Sequence, residues 1–145
     1  MAVLALFPGS FDPFTAGHEA ILRRILPLFD KVVVAVGVNS EKRYMFSVEE
    51  RLERIRAMLS DCPTVEVTSY TGMTIDLCHR LGAGAIIRGI RTAKDFEYEQ
   101  TIAAVNRLQD PSIETLLLLA DPEHINISST LERERLNHPC NCPTT

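Results

Sequence analysis

The chain has 145 residues, 46% apolar and 23% charged, with 15 Lys and Arg against 19 Asp and Glu for a net charge of −4. Such a length and composition suit one globular domain with its own core. The acidic balance argues against a general nucleic-acid binder, and no apolar run approaches the roughly 20 residues of a membrane span, so an anionic ligand must be held by local groups.

The elements follow in order. "VLALF" (3–7) reads as a first strand, and because "MAVLALF" lacks a basic leader and stops at Pro8, a cytoplasmic location is expected. Pro8, Gly9, Ser10, Asp12 and Pro13 then form a turn into a helix that opens at Thr15–His18, and Pro27 should end or kink that helix. "KVVVAVGV" (31–38) is a second strand. In the next helix Ser47 and Glu50 make a capping box, and Val48, Leu52, Ile55 and Leu59 form one apolar stripe. A third strand, "TVEVTSY" (64–70), precedes a helix from Thr74 to Leu81 that stops at Gly82. "GAIIRG" (84–89) is the fourth strand. The helix "KDFEYEQTIAAVNRLQ" carries Tyr98, Ile102 and Val105 on one side, and "ETLLLLA" (114–120) is the fifth strand.

Apolar strands alternating with helices predict a single Rossmann-like α/β domain, a five-stranded mostly parallel sheet with helices on both faces. The domain is placed at 1–136, with "NHPCNCPTT" (137–145) as a loose tail. Cys62, Cys78, Cys140 and Cys142 fit neither a zinc ribbon nor a C-x-x-C pair, so free thiols and no protein-held metal are expected.

Parallel sheets bind ligands beyond their strands' C-terminal ends, where helix N-termini favour anions. Ser10 and His18 follow the first strand, Lys42 and Arg43 the second, Arg88 and Arg91 the fourth, and Ser128, Ser129 and Thr130 the fifth. Each has a plain alternative. His18 could cap or pack, Lys42 and Arg43 could be solvated, Arg88 could pair with Asp95, Glu97 or Glu99, and the serines could only cap. Four strand ends with phosphate-compatible groups nevertheless point to one phosphate site. There is no Walker loop, and "GAGAII" precedes a strand instead of following one, which rejects a dinucleotide fingerprint.

With Thr15-Ala16-Gly17-His18 as a (H/T)-x-G-H motif, "RGIRTAKDFEYE" and "ISST" (127–130), the chain resembles the bacterial phosphopantetheine adenylyltransferases from about residue 3 to 136. The first motif marks only the nucleotidyltransferase superfamily, and the second makes the particular enzyme the expectation. The resemblance implies that ATP and 4'-phosphopantetheine give dephospho-coenzyme A and pyrophosphate by direct in-line attack. It implies Ser10 at both substrates and the backbone of Phe11 at ATP, with His18 stabilising charge on the α-phosphate. Lys42 and Arg88 would hold the pantetheine phosphate, and Thr74 would line the pantetheine arm. Gly89, Ile90, Arg91, Glu99, His124, Ile125, Asn126, Ile127, Ser128, Ser129 and Thr130 would contact the nucleotide. Mg²⁺ would ride mainly on the ATP phosphates, and a homohexamer is implied. Ser10 stands where the family often has threonine, and the C-terminus departs from the family's usual Gly-containing turn and further helix. The alternatives are another phosphorylated acceptor, such as nicotinate mononucleotide, or a nucleotide-binding regulator without turnover.

Overall fold

A computed structural model describes residues 3–124. The predicted contacts from Ile125 to Thr130 and the proposed tail at 137–145 lie outside them.

Five strands form the sheet: β1 (Leu4–Gly9), β2 (Lys31–Gly37), β3 (Val65–Tyr70), β4 (Ala85–Ile90) and β5 (Glu114–Leu119). Their order is β3-β2-β1-β4-β5, and every pairing is parallel. The expected "mostly parallel" sheet is therefore wholly parallel over the described residues. Four helices connect the strands: α1 (Ala16–Ile25), α2 (Val48–Met58), α3 (Thr74–Leu81) and α4 (Ala93–Gln109).

Side-chain alternation along the strands explains why the central ones are apolar throughout. Phe7, Val34 and Ile87 face one way and join Ile21, Leu22 and Ile25 of α1 and Ile55 of α2. Leu6, Val33 and Ile86 face the other way and join Ile75, Leu77 and Cys78 of α3. Each such side chain, fully buried, contributes about 1.5–3 kcal/mol. Two buried layers on opposite faces are the reason the sheet tolerates no polar face at its centre. Cys62 and Cys78 are buried free thiols, as expected.

Helix boundaries follow local chemistry. Ser47 and Glu50 form the anticipated capping box of α2. Gly82 ends α3 in the left-handed conformation, with φ 74°. Helix α1 stops at Ile25, and Pro27 sits in a short 3₁₀ turn, Leu26–Leu28.

Helix α4 differs from its sequence reading. Tyr98, Ile102 and Val105, expected on an apolar stripe, are all exposed, whereas Glu99 and Asn106 are buried. Its inner side borders a polar cleft, so Glu99 and Asn106 turn inward, Tyr98 and Ile102 stand at the cleft's margin, and Val105 and Leu108 face out.

Candidate active site

The strand order changes direction between β1 and β4, each extended on its far side by strands that come next in sequence on opposite flanks. Such a switch point opens a crevice at the C-terminal strand ends. Two chambers lie there, of about 260 and 630 Å³, and both are lined by Pro8, Gly9, Ser10, Arg88 and Glu99. The smaller adds Lys42, Tyr44, Tyr70, Thr74 and Asn106. The larger adds Phe11, His18, Gly89, Arg91, Tyr98 and His124. Of the predicted site residues within 3–124, only Ile90 lines neither chamber; it is 8% exposed and belongs to the buried end of β4.

The turn after β1 is built around one ring. Phe11 has φ 47°, a left-handed backbone rare for a residue with a side chain. Its ring lies against Gly9, where a Cβ would come within 2.9 Å of Phe11 Cζ. Only glycine therefore fits at position 9 without moving that ring. Phe11 then meets the His18 imidazole edge-on at 5.0 Å, and Phe14 stacks on the same imidazole at 5.4 Å.

Thr15 and His18 complete the fixation. Thr15 is the N-cap of α1 and His18 is the third helical residue, and together they make a capping box. The Thr15 backbone N–H donates to His18 Nδ1 at 2.9 Å, while the Thr15 hydroxyl oxygen accepts from His18 N–H at 3.5 Å. A ring nitrogen that accepts from a backbone N–H carries no proton, so the neutral ring bears its hydrogen on Nε2. Burial, followed by the charges of Arg91 and Arg88, lowers the His18 pKa to about 4. His18 is thus a neutral imidazole whose Nε2–H is a donor. The plain alternative, a helix-capping histidine, is present, and it is compatible with a donor facing the larger chamber, because capping is what orients the ring.

Arg88 emerges from β4 among apolar neighbours and finds Glu99. Nε and Nη2 donate to the two carboxylate oxygens at 2.8 and 2.7 Å, and Nη1 donates to the carbonyl of Pro8. Burial works against the Arg88 charge, but the bonds and charge of Glu99 outweigh it and raise its pKa. The predicted ion-pair alternative for Arg88 is therefore present in the structure, with Glu99 as partner. Arg91 is more exposed, and its backbone N–H donates to Asp95 at 3.1 Å just before the Thr92 cap of α4. Lys42 is exposed in the loop between β2 and α2, its N–H held by the Asn39 carbonyl at 3.0 Å. Thr74 opens α3 and meets the Tyr70 hydroxyl at 3.2 Å.

Sequence reasoning missed several groups. Asp12 accepts from the Met45 and Phe46 N–H groups at 2.6 and 2.8 Å, tying the β1 turn to the Lys42 loop. Tyr70 and Asn106 line the smaller chamber. Arg51 donates to the carbonyls of Ser10 and Gly37. Arg51 had a signal: it stands three residues after Val48 and four before Ile55, on the apolar stripe of α2.

Chemically, two chambers that share one wall can hold two substrates against each other, with cations and a neutral donor where phosphates would meet. A family model of cytidylyltransferase-like proteins matches residues 6–135. A phosphopantetheine adenylyltransferase of Flavobacterium psychrophilum is 51% identical over 90% of this chain and 85% of its own length. One from Bacteroides fragilis is 48% identical over 92% and 89%. Among solved structures, a bifunctional NMN adenylyltransferase/ADP ribose pyrophosphatase from Francisella tularensis superposes with a TM-score of 0.65 at 19% identity, covering 97% of this chain and 43% of that one. A lipopolysaccharide core biosynthesis protein from Thermoplasma volcanium gives 0.55 at 21% identity, over 83% and 98%. Those two likenesses concern the fold, whereas the identity to the curated relatives covers nine-tenths of the chain, and on that footing the chain belongs to the cytidylyltransferase-like family and, within it, to the phosphopantetheine adenylyltransferases.

Proposed function

We propose that the chain transfers the adenylyl group of ATP to 4'-phosphopantetheine, releasing pyrophosphate and forming dephospho-coenzyme A. The observation that carries this reading is the shared wall of the two chambers, Pro8–Ser10 with Arg88 and Glu99. ATP occupies the larger chamber, among Phe11, His18, Gly89, Arg91 and His124, and the acceptor occupies the smaller, among Lys42, Thr74 and Arg88. A phosphate oxygen of the acceptor attacks the α-phosphorus in line, its new P–O bond forms as the bond to the β-phosphate oxygen breaks, and pyrophosphate leaves with that electron pair.

The protein's own work is positioning and charge stabilisation. An ionised phosphate needs no base, and His18 could not serve as one: its Nδ1 accepts from Thr15 and its Nε2 already holds a proton. That Nε2–H donates to the α-phosphate as negative charge gathers there. Lys42 and Arg91 supply positive charge at the two ends, and Ser10 stands at their boundary.

Among the described residues of the two chambers, Glu99 is bound by Arg88 and Asp95 lies beside Arg91, so this carboxylate set does not offer a cation a pair of unengaged ligands. Mg²⁺ enters as part of the nucleotide substrate, on its phosphate oxygens. The exposed apolar side of α4 and β5, with Leu108 at 87% and Leu119 at 69% exposure, supports a homo-oligomer, which we take to be a hexamer. No helix among the described residues is long and apolar enough to cross a membrane. A cytoplasmic location accords with the use of ATP.

Pyrophosphate release from ATP and Mg²⁺, with 4'-phosphopantetheine and separately with nicotinate mononucleotide, tests the reading. Release with phosphopantetheine alone is expected. Release only with the second acceptor would replace the substrate, and ATP binding without release in either case would make the protein a nucleotide-binding regulator.

A further inference from the structure

The cations of the cleft are mostly balanced. Arg88 holds Glu99, Arg91 lies 3.6 Å from Asp95, His18 is neutral, and Lys42, which forms no ion pair among the described residues, is exposed to water. Arg51 breaks the pattern. It is 2% exposed, yet among the described residues no carboxylate forms an ion pair with it. Its Nη1 donates to the carbonyls of Ser10 at 2.8 Å and Gly37 at 3.2 Å. Its guanidinium carbon lies 4.0 Å from the centre of the Tyr44 ring, and its buried Nε has no partner among the described residues.

Removing an ion from water is costly, and carbonyl dipoles and an aromatic face offset that cost only in part. An anion placed nearby makes up the difference. The surroundings say which anion. Ser10, Gly37 and Tyr44 all line the smaller chamber, and Gly37 and Tyr44 do not line the larger. Tyr44 also accepts from the Asn39 N–H at 3.0 Å, and the Asn39 carbonyl holds the Lys42 N–H. Arg51 therefore grips the turn at Ser10, the end of β2 and, through Tyr44 and Asn39, the loop that carries Lys42.

We propose that Arg51 is a positioning residue for the phosphate of the acceptor: it locks the Ser10 turn to the Lys42 loop and leaves an uncompensated positive charge behind the wall of the smaller chamber, so that it sets affinity for the phosphorylated acceptor far more than for the nucleotide. This rests on the assignment of the smaller chamber to 4'-phosphopantetheine.

The test is calorimetric binding of 4'-phosphopantetheine and of ATP, with KM values for both, for wild type, Arg51→Met, Arg51→Lys and Tyr44→Ala. Release of the Lys42 loop, with loss of the nearby charge, predicts a roughly 10–100-fold weaker acceptor affinity in Arg51→Met, with a several-fold smaller loss for ATP. Arg51→Lys, which keeps the charge, should recover part of the loss. Added salt should weaken acceptor binding more steeply in wild type than in Arg51→Met, a difference that a purely structural arginine would not produce. Tyr44→Ala, at a half-exposed position, should weaken acceptor binding in the same sense, and it decides the matter with Arg51→Lys if Arg51→Met fails to fold. Equal losses for both substrates, or lower thermal stability with unchanged acceptor affinity, would overturn the inference. A wild-type protein that binds ATP but not 4'-phosphopantetheine would instead overturn the substrate assignment, and the same variants would then be compared on nicotinate mononucleotide.

Discussion

His18 reaches the cleft with its proton already assigned. The Thr15 N–H occupies Nδ1, two phenylalanine rings hold the imidazole, and burial beside Arg91 and Arg88 keeps it neutral. His18→Ala should retain a cooperative melting transition while turnover falls by about 10²–10³, the usual cost of losing one preorganised donor to a transition-state oxygen. Loss of the transition together with activity would assign the ring a structural task only. The same environment predicts a pH effect on stability. With the folded pKa at about 4 and the ordinary value at 6.5, the unfolded chain takes up a proton in that interval that the folded chain refuses. Stability therefore declines as pH falls from 6.5 towards 4, and this contribution levels off below it. The urea midpoint should drop more on acidification in wild type than in His18→Ala. The motif was legible here as spacing. That Nδ1 would be spent on the backbone was not, because a sequence does not say which ring nitrogen faces the cap.

The helices and strands owe their limits to local chemistry, and the reading of them held wherever that chemistry was local. Gly82 closes α3 at φ 74°, and no atom lies within 4 Å of the place a methyl group would take there, so Gly82→Ala isolates the backbone cost. A destabilisation of about 1 kcal/mol is expected in urea unfolding, with activity at ambient temperature unaltered. Helix α4 shows where such reading stops. Its stripe of Tyr98, Ile102 and Val105 was visible, but hydrophobic periodicity reports only that a helix has an apolar side. It does not report whether the core, a cleft or another molecule covers that side. Here Glu99 and Asn106 point inward because the inner neighbour is a polar cleft. Arg51 is the converse case: a charged residue inside an apolar stripe, hidden by the expectation that charges are solvated.

For the molecule as a whole, the sheet order gathers the ends of β1 and β4, and α4 meets the edge strand β5 where Arg107 pairs with Glu114 at 3.3 Å. Val105 and Leu108, neighbours on one side of α4, are exposed apolar side chains that a second copy of the chain can cover. Leu108→Asp should shift sedimentation towards the monomer without altering the far-ultraviolet circular dichroism of the chain. An unchanged sedimentation coefficient would remove this surface from the assembly.

The amino-acid sequence by itself determined the elements, their order and the chemical class of the site. Caps, glycine stops and two-faced apolar strands act over a few residues, and Arg88 near the end of its strand, with Ser10, His18, Lys42 and Arg91 after theirs, lies where a parallel sheet binds anions. Only the tertiary structure decided how those groups divide their charge. Glu99 neutralises Arg88 across eleven residues of chain, and Arg51 lies against carbonyls from two other elements without a carboxylate. Pairing of that kind depends on distances in space, which the sheet order sets and the linear spacing of residues does not.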